Sequence, residues 1–199
     1  YPQEGVSKIQ ERQMITQEGD NTFVIGINGN FDDAQNGVKE IFNDKELGSY
    51  LGENDYILSS ANSINIGRLI PQIVYYFYTY LTLLRKGELK KGEKINIVVP
   101  TGNFGNILAA YYGKEMGLPI NKLICASNEN NILSDFINTN IYDRRRELIL
   151  TSSPSMDILI SSNLERLLFH LSGEDDRLIK EKMSQLSNNG YYEMVDLDM

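Results

Sequence analysis

The stretch that decides the fold is Ile95-Asn96-Ile97-Val98-Val99-Pro100-Thr101-Gly102-Asn103-Phe104-Gly105-Asn106. Residues 95–99 form a nearly continuous apolar run, the pattern of a strand buried inside a parallel sheet. The Gly- and Asn-rich loop at 101–106 leads into a helix at 107–116, stopped by Gly117 and Pro119. A second apolar strand at 123–126 follows. It passes through Ser127-Asn128-Glu129-Asn130-Asn131 into a helix near 132–136. Alternation at this length predicts an α/β fold: a right-handed parallel sheet with helices on both faces.

In such a sheet the carboxyl ends of the strands face the ligand crevice. Glycines let backbone N–H groups crowd round an anion, and a helix start adds a favourable dipole. Residues 102–106 can therefore hold a phosphate without a cationic side chain. The loop fits neither a phosphate-binding Walker loop, since no Lys follows the second Gly, nor the dinucleotide fingerprint, which needs a third Gly. Spacing alone leaves two readings open, an anion cradle and a plain tight turn.

Upstream, Tyr56-Ile57-Leu58 runs into the polar cluster Ser59-Ser60-Ala61-Asn62-Ser63 and then a long helix from about 66 to 85. Asn62 and Ser63 carry donors suited to phosphate oxygens, and Arg68 offers a bidentate fork. The simpler reading of the pattern is helix capping by Asn62, Ser63 or Asn65, with Arg68 on the surface. The apolar run at 69–84, LIPQIVYYFYTYLTLL, is shorter than the roughly 20 residues a membrane crossing needs. Gln72, Thr79 and Thr82 interrupt it, so a packed helix is expected and no membrane partner.

The outer parts are plainer. A helix is expected at 10–15, a β-rich run at 22–27, a turn at 28–30 and a helix at 31–42 with Asp32 and Asp33 in its first turn. Residues 48–55, polar and Gly-containing, are the expected crossover between lobes. From 161 onward the pattern is helical, with Leu164, Leu167, Leu168 and Leu171 on one face. The tail at 191–199 shows no closing element. The turn at 151–157 carries no assignable chemistry. His170 reads as a structural histidine, Arg144-Arg145-Arg146 as a solvated helix face, and Cys125 as an inert thiol in an apolar run.

Composition excludes whole classes. With 27 acidic against 19 basic side chains the net charge is −8, which argues against nucleic-acid and anionic-membrane partners. One Cys leaves no disulfide framework, and no cluster has metal-ligand spacing. Tyr1-Pro2-Gln3 carries no initiator Met and no signal-peptide pattern, so a piece of a longer, cytoplasmic protein is expected.

Several strings together resemble threonine synthase. They are Tyr1-Pro2-Gln3-Glu4-Gly5-Val6-Ser7, Gln13-Met14, Gly29-Asn30-Phe31-Asp32-Asp33-Ala34-Gln35, SANSINIGRLIPQ at 60–72, PTGNFGN at 100–106, and SPSMDILISSNLER within residues 152–166. The resemblance covers essentially the whole chain, in order. It implies a pyridoxal 5'-phosphate enzyme of the tryptophan-synthase β-like fold, a lyase of threonine biosynthesis. Such an enzyme converts O-phospho-L-homoserine and water to L-threonine and phosphate. It also implies that Gly102, Asn103, Phe104, Gly105 and Asn106 hold the cofactor phosphate, and that Asn62, Ser63 and Arg68 anchor the substrate phosphate. Residues 1–50 would be the later part of a smaller, mobile lobe and 51–199 part of the larger, cofactor-binding one. The family's Schiff-base lysine sits in a Phe-Lys-Asp setting, which does not occur here. The chain alone is therefore expected to be inactive, and apolar surface left by missing parts to drive self-association. The alternatives are a threonine dehydratase or cysteine synthase, or a non-catalytic module for a phosphorylated small molecule.

Overall fold

A computed structural model describes residues 1–60 and 65–195, the side chains of Phe31, Asp32, Gln35 and Pro154 apart. The chain divides into two units, Tyr1–Ser60 and Ala61–Met199.

In the first unit the helices open on local capping bonds. Helix α1 spans Lys8–Ile15 and opens on a capping box: Gln10 N–H donates to Ser7 Oγ at 3.2 Å while Ser7 N–H donates to Gln10 Oε1 at 3.3 Å. Helix α2 spans Phe31–Asn43, entered by a similar reciprocal pair between Asn30 and Asp33. Helix α3 spans Lys45–Glu53, capped by Asp44, which accepts from Leu47 N–H at 3.0 Å. The expected crossover at 48–55 is thus mostly helix, and the unit ends later, at Ser60. The expected strand at 22–27 is not one. Ile27 makes a single parallel bridge to Pro2, and Phe23 and Ile25 stay exposed, because the only ladder partner among the described residues of this unit is the short stretch at 1–4.

The second unit carries the core. Helix α4 spans Ile66–Leu69, a 3₁₀ turn covers Ile70–Gln72, and helix α5 spans Ile73–Arg85. The single helix expected there is broken at Pro71, which has no N–H to give and whose ring crowds the preceding turn. Strand β1 (Ile95–Pro100) pairs in parallel with β2 (Ile120–Ala126), Val99 opposite Cys125 and Pro100 opposite Ala126. Between them runs α6 (Gly105–Glu115), whose Leu108, Ala109 and Ala110 are fully buried. Helix α7 (Ile132–Thr139) follows β2. This is the expected α/β arrangement with a parallel sheet, two-stranded among the described residues. Val98 and Ile124, opposite each other in the register, remain largely exposed.

The rest of the unit was not foreseen in full. Strand β3 (Ile141–Asp143) pairs antiparallel with β4 (Tyr191–Glu193), so the tail does carry a closing element. Helices α8 (Leu164–Leu171) and α9 (Asp176–Asn189) lie between them in sequence. Tyr142 and Tyr192 stack with centroids 5.3 Å apart, and the Phe136 ring meets both edge-on. The three arginines follow a strand, not a helix. Arg145 pairs with Asp143 and Arg146 with Asp135, each at 2.8 Å. Among the described residues no helix is long and apolar enough to cross a membrane, and no group of His, Cys, Asp and Glu could hold a metal.

Candidate functional site

In the loop after β1 the carbonyls of Gly102 and Asn103 are spent, while the amides from Gly102 onward are not. Thr101 N–H donates to Ala126 O at 2.9 Å, extending the ladder by one bond. Gly102 O then accepts from Ser161 Oγ at 2.8 Å, and Asn103 O accepts from Asn163 Nδ2 at 2.9 Å and from Asn163 N–H at 3.2 Å. Phe104 takes the left-handed conformation, φ +63°, with its ring buried, and α6 starts at the next residue. The N–H groups of Gly102, Asn103, Phe104, Gly105 and Asn106 find no acceptor among the described residues. A run of unspent amides at a helix start can receive an anion by both hydrogen bonding and dipole.

Gly102 is required here for space, not for torsional freedom: a Cβ built on it would stand 2.5 Å from the backbone oxygen of Ser155. That segment is pinned by Asp157, whose carboxylate accepts from Thr151 N–H and Thr151 Oγ1, both at 2.8 Å. Asn128 Nδ2 donates to it at 2.7 Å and Asn130 Nδ2 at 3.1 Å. Burial by itself would raise the Asp157 pKa, but those donors together hold it below the usual carboxylate range. So the cluster at 127–131, expected either to line the crevice or to cap a helix, has Asn128 and Asn130 bonded to the 149–157 excursion.

On the other side, Asn106 is clamped. Its Nδ2 donates to Gln72 Oε1 at 2.9 Å, and its Oδ1 accepts from Tyr76 Oη at 2.6 Å. Gln72 Nε2 in turn donates to Arg68 O at 3.0 Å, so the backbone carrying Arg68 is tied to the loop through one side chain. Burial pushes the Tyr76 phenol up to about 12, keeping it a neutral donor. Asn65 does cap α4, accepting from Gly67 N–H at 2.9 Å, and Arg68 is exposed on that helix. Asn62 and Ser63 lie outside the described residues.

Cys125 is half-buried and its thiol is pushed up by burial, against a weaker lowering by Thr101. His170 accepts or donates through Nδ1 to Tyr111 Oη at 2.6 Å, on the α6–α8 contact. Ser161, Asn163 and Asp157 were missed as site residues. The first two sit 59 and 60 positions from the loop carbonyls they hold, and a Ser-Ser-Asn before an apolar helix reads as an ordinary cap.

No protein-family model matches the chain. Threonine synthase-like 1 of Homo sapiens is 47% identical over 98% of this chain, which spans 26% of that protein. The threonine synthase of Saccharomyces cerevisiae is 41% identical over 98% of the chain and 38% of its own length. The crystal structure of a pyridoxal-phosphate-bound threonine synthase from Brucella melitensis superposes with a TM-score of 0.81 at 44% identity, over 96% of this chain and 39% of that one. In sequence and in fold the chain is similar to threonine synthases and to threonine synthase-like 1, and it spans 26–39% of the length of these three relatives.

Proposed function

We propose that this chain supplies the phosphate-holding part of a threonine synthase, which turns O-phospho-L-homoserine and water into L-threonine and phosphate with pyridoxal phosphate as cofactor. The observation that carries the reading is the loop at 102–106, with its amides unspent and its carbonyls bonded elsewhere. The loop fits the cofactor's phosphate: a dianion needs several converging donors, and a helix start provides them without a cation. When bound, pyridoxal phosphate supplies an electron sink for the substrate's α-carbon. The chain's own part is to seat and orient. Gly102, Asn103, Phe104, Gly105 and Asn106 bind the cofactor phosphate through backbone N–H groups. Arg68, with Asn62 and Ser63, takes the substrate phosphate, and the Gln72 link fixes Arg68's turn relative to Asn106.

No Phe-Lys-Asp lysine occurs in the chain, so on this reading it neither holds the cofactor covalently nor turns over by itself. Such an enzyme works in the cytoplasm on a small phosphorylated amino acid. The test is ligand protection: inorganic phosphate or pyridoxal phosphate raises the melting temperature of the chain. Gly105→Asp, which places a carboxylate in the cradle, abolishes that rise. No rise in the unmutated protein overturns the loop assignment.

A further inference from the structure

We infer that Ser161 and Asn163 are positioning residues of the anion site, aiming the Asn103 and Phe104 amides by holding the carbonyls on the other ends of the same peptide planes. The inference rests on the reading of the loop as a phosphate cradle. In a trans peptide the C=O of one residue and the N–H of the next point in opposite directions, and no peptide in the described chain is cis. The Ser161 hydroxyl fixes the Gly102 carbonyl and thereby turns the Asn103 N–H away from itself. Asn163, through its backbone N–H and its Nδ2, fixes the Asn103 carbonyl and so sets the Phe104 N–H. Were either carbonyl to swing round, an acceptor would stand where the anion needs a donor.

The state of Asn163 argues that this is more than packing. It stands at the cap position of α8, where an Asn side-chain oxygen ordinarily accepts from the first turn. Here it makes no side-chain capping bond. The residue is fully buried, its amide nitrogen is committed to Asn103, and its Oδ1 is left without a partner. An unpaired buried acceptor is destabilising, so α8 gives up its cap and leaves an oxygen unsatisfied while the loop carbonyl is held. Ser161 is fixed in its turn: its N–H donates to Tyr142 Oη at 2.9 Å, and Tyr142 is itself anchored in the aromatic stack. The direction of the Asn103 amide is thus set by residues of β3 and of the turn before α8.

The test is amide-resolved NMR of the full 199-residue chain titrated with inorganic phosphate. In the unmutated protein the Asn103 and Phe104 amide protons move downfield as phosphate saturates. Ser161→Ala is expected to weaken phosphate binding on the order of five- to tenfold, the loss of about one hydrogen bond's worth of orientation, and to remove the Asn103 shift before the Phe104 shift. Asn163→Ala reverses that order, and Ser161→Thr, which keeps the hydroxyl, restores binding. Where Ser161→Ala lowers stability too far, the near-isosteric Ser161→Cys, a much weaker donor, gives the same comparison. If the unmutated chain shows both shifts and the Ser161 and Asn163 variants keep them at unchanged affinity, the inference is overturned while the cradle stands. If the unmutated chain shows no shift, the cradle reading itself falls.

Discussion

The backbones of Gly102 and Ser155 meet so closely that a single added methyl on Gly102 would lie 2.5 Å from the Ser155 carbonyl oxygen. Both partners are main chain, so neither side can turn a flexible group away. Gly102→Ala is expected to destabilise the second unit by about 1–3 kcal/mol, the usual cost of forcing volume into a packed site, and to remove phosphate protection. Thermal unfolding with and without phosphate measures both. Full protection in the variant would show that the loop tolerates a displaced Ser155 and is not shaped by it.

The Asn106 clamp predicts a milder result. Gln72→Ala releases the bonds to Asn106 Nδ2 and to Arg68 O, and Tyr76→Phe releases those to Asn106 Oδ1 and Asn106 O. Each is expected to cost about 1 kcal/mol and to lower phosphate affinity a few-fold. Isothermal titration with phosphate, set against the melting temperature of each variant, separates the two effects. Equal affinity in both variants would leave Asn106 with no part in shaping the site.

Tyr142 should matter through its hydroxyl more than its ring. Buried Tyr142 Oη donates to Leu159 O at 3.1 Å and accepts from Ser161 N–H at 2.9 Å, and burial pushes the phenol up to about 12. Tyr142→Phe leaves both backbone groups unpaired, at a cost of about 1–3 kcal/mol. Tyr192→Phe, whose hydroxyl has no hydrogen-bond partner among the described residues, is expected to change urea stability far less. Equal losses would show that the two hydrogen bonds of the Tyr142 hydroxyl add no stability beyond that of an unpartnered phenol.

Acid should open the 149–157 excursion. The folded Asp157 pKa lies below its unfolded value, so its contribution is complete above about pH 4 and is lost as pH falls through the folded value. Asp143 titrates in the same sense, held down to about 2 chiefly by the Arg145 side chain. That pair is solvent-exposed, so it adds little. Urea midpoints between pH 2 and 6 should fall with acid. Asp157→Asn should be less stable at neutral pH and show a flatter acid slope, whereas Asp143→Asn should track the unmutated protein. A slope untouched by Asp157→Asn would place the acid sensitivity elsewhere.

Local chemistry made half of this molecule legible. The apolar run at 95–99, the glycines at 102 and 105 and the Gly117–Pro119 stop each act over a few residues, and the strand, loop and helix they announce are present. Pro71 was visible but read through, because the apolar run on both sides of it outweighs one ring in a periodicity argument. The β-rich run at 22–27 misled in the other direction: strand propensity is only realised where another edge offers bonds.

By itself, then, the sequence settled the order of strands and helices and put the glycine loop at a strand's carboxyl end, since turn chemistry and side-chain period depend on near neighbours alone. Only the tertiary structure decided which way that loop's amides face. Their direction is set by Ser161 and Asn163, some 60 residues downstream, and by the Ser155 backbone pressed under Gly102. A peptide plane is turned by whatever bonds its far side, and folding alone brings those groups there.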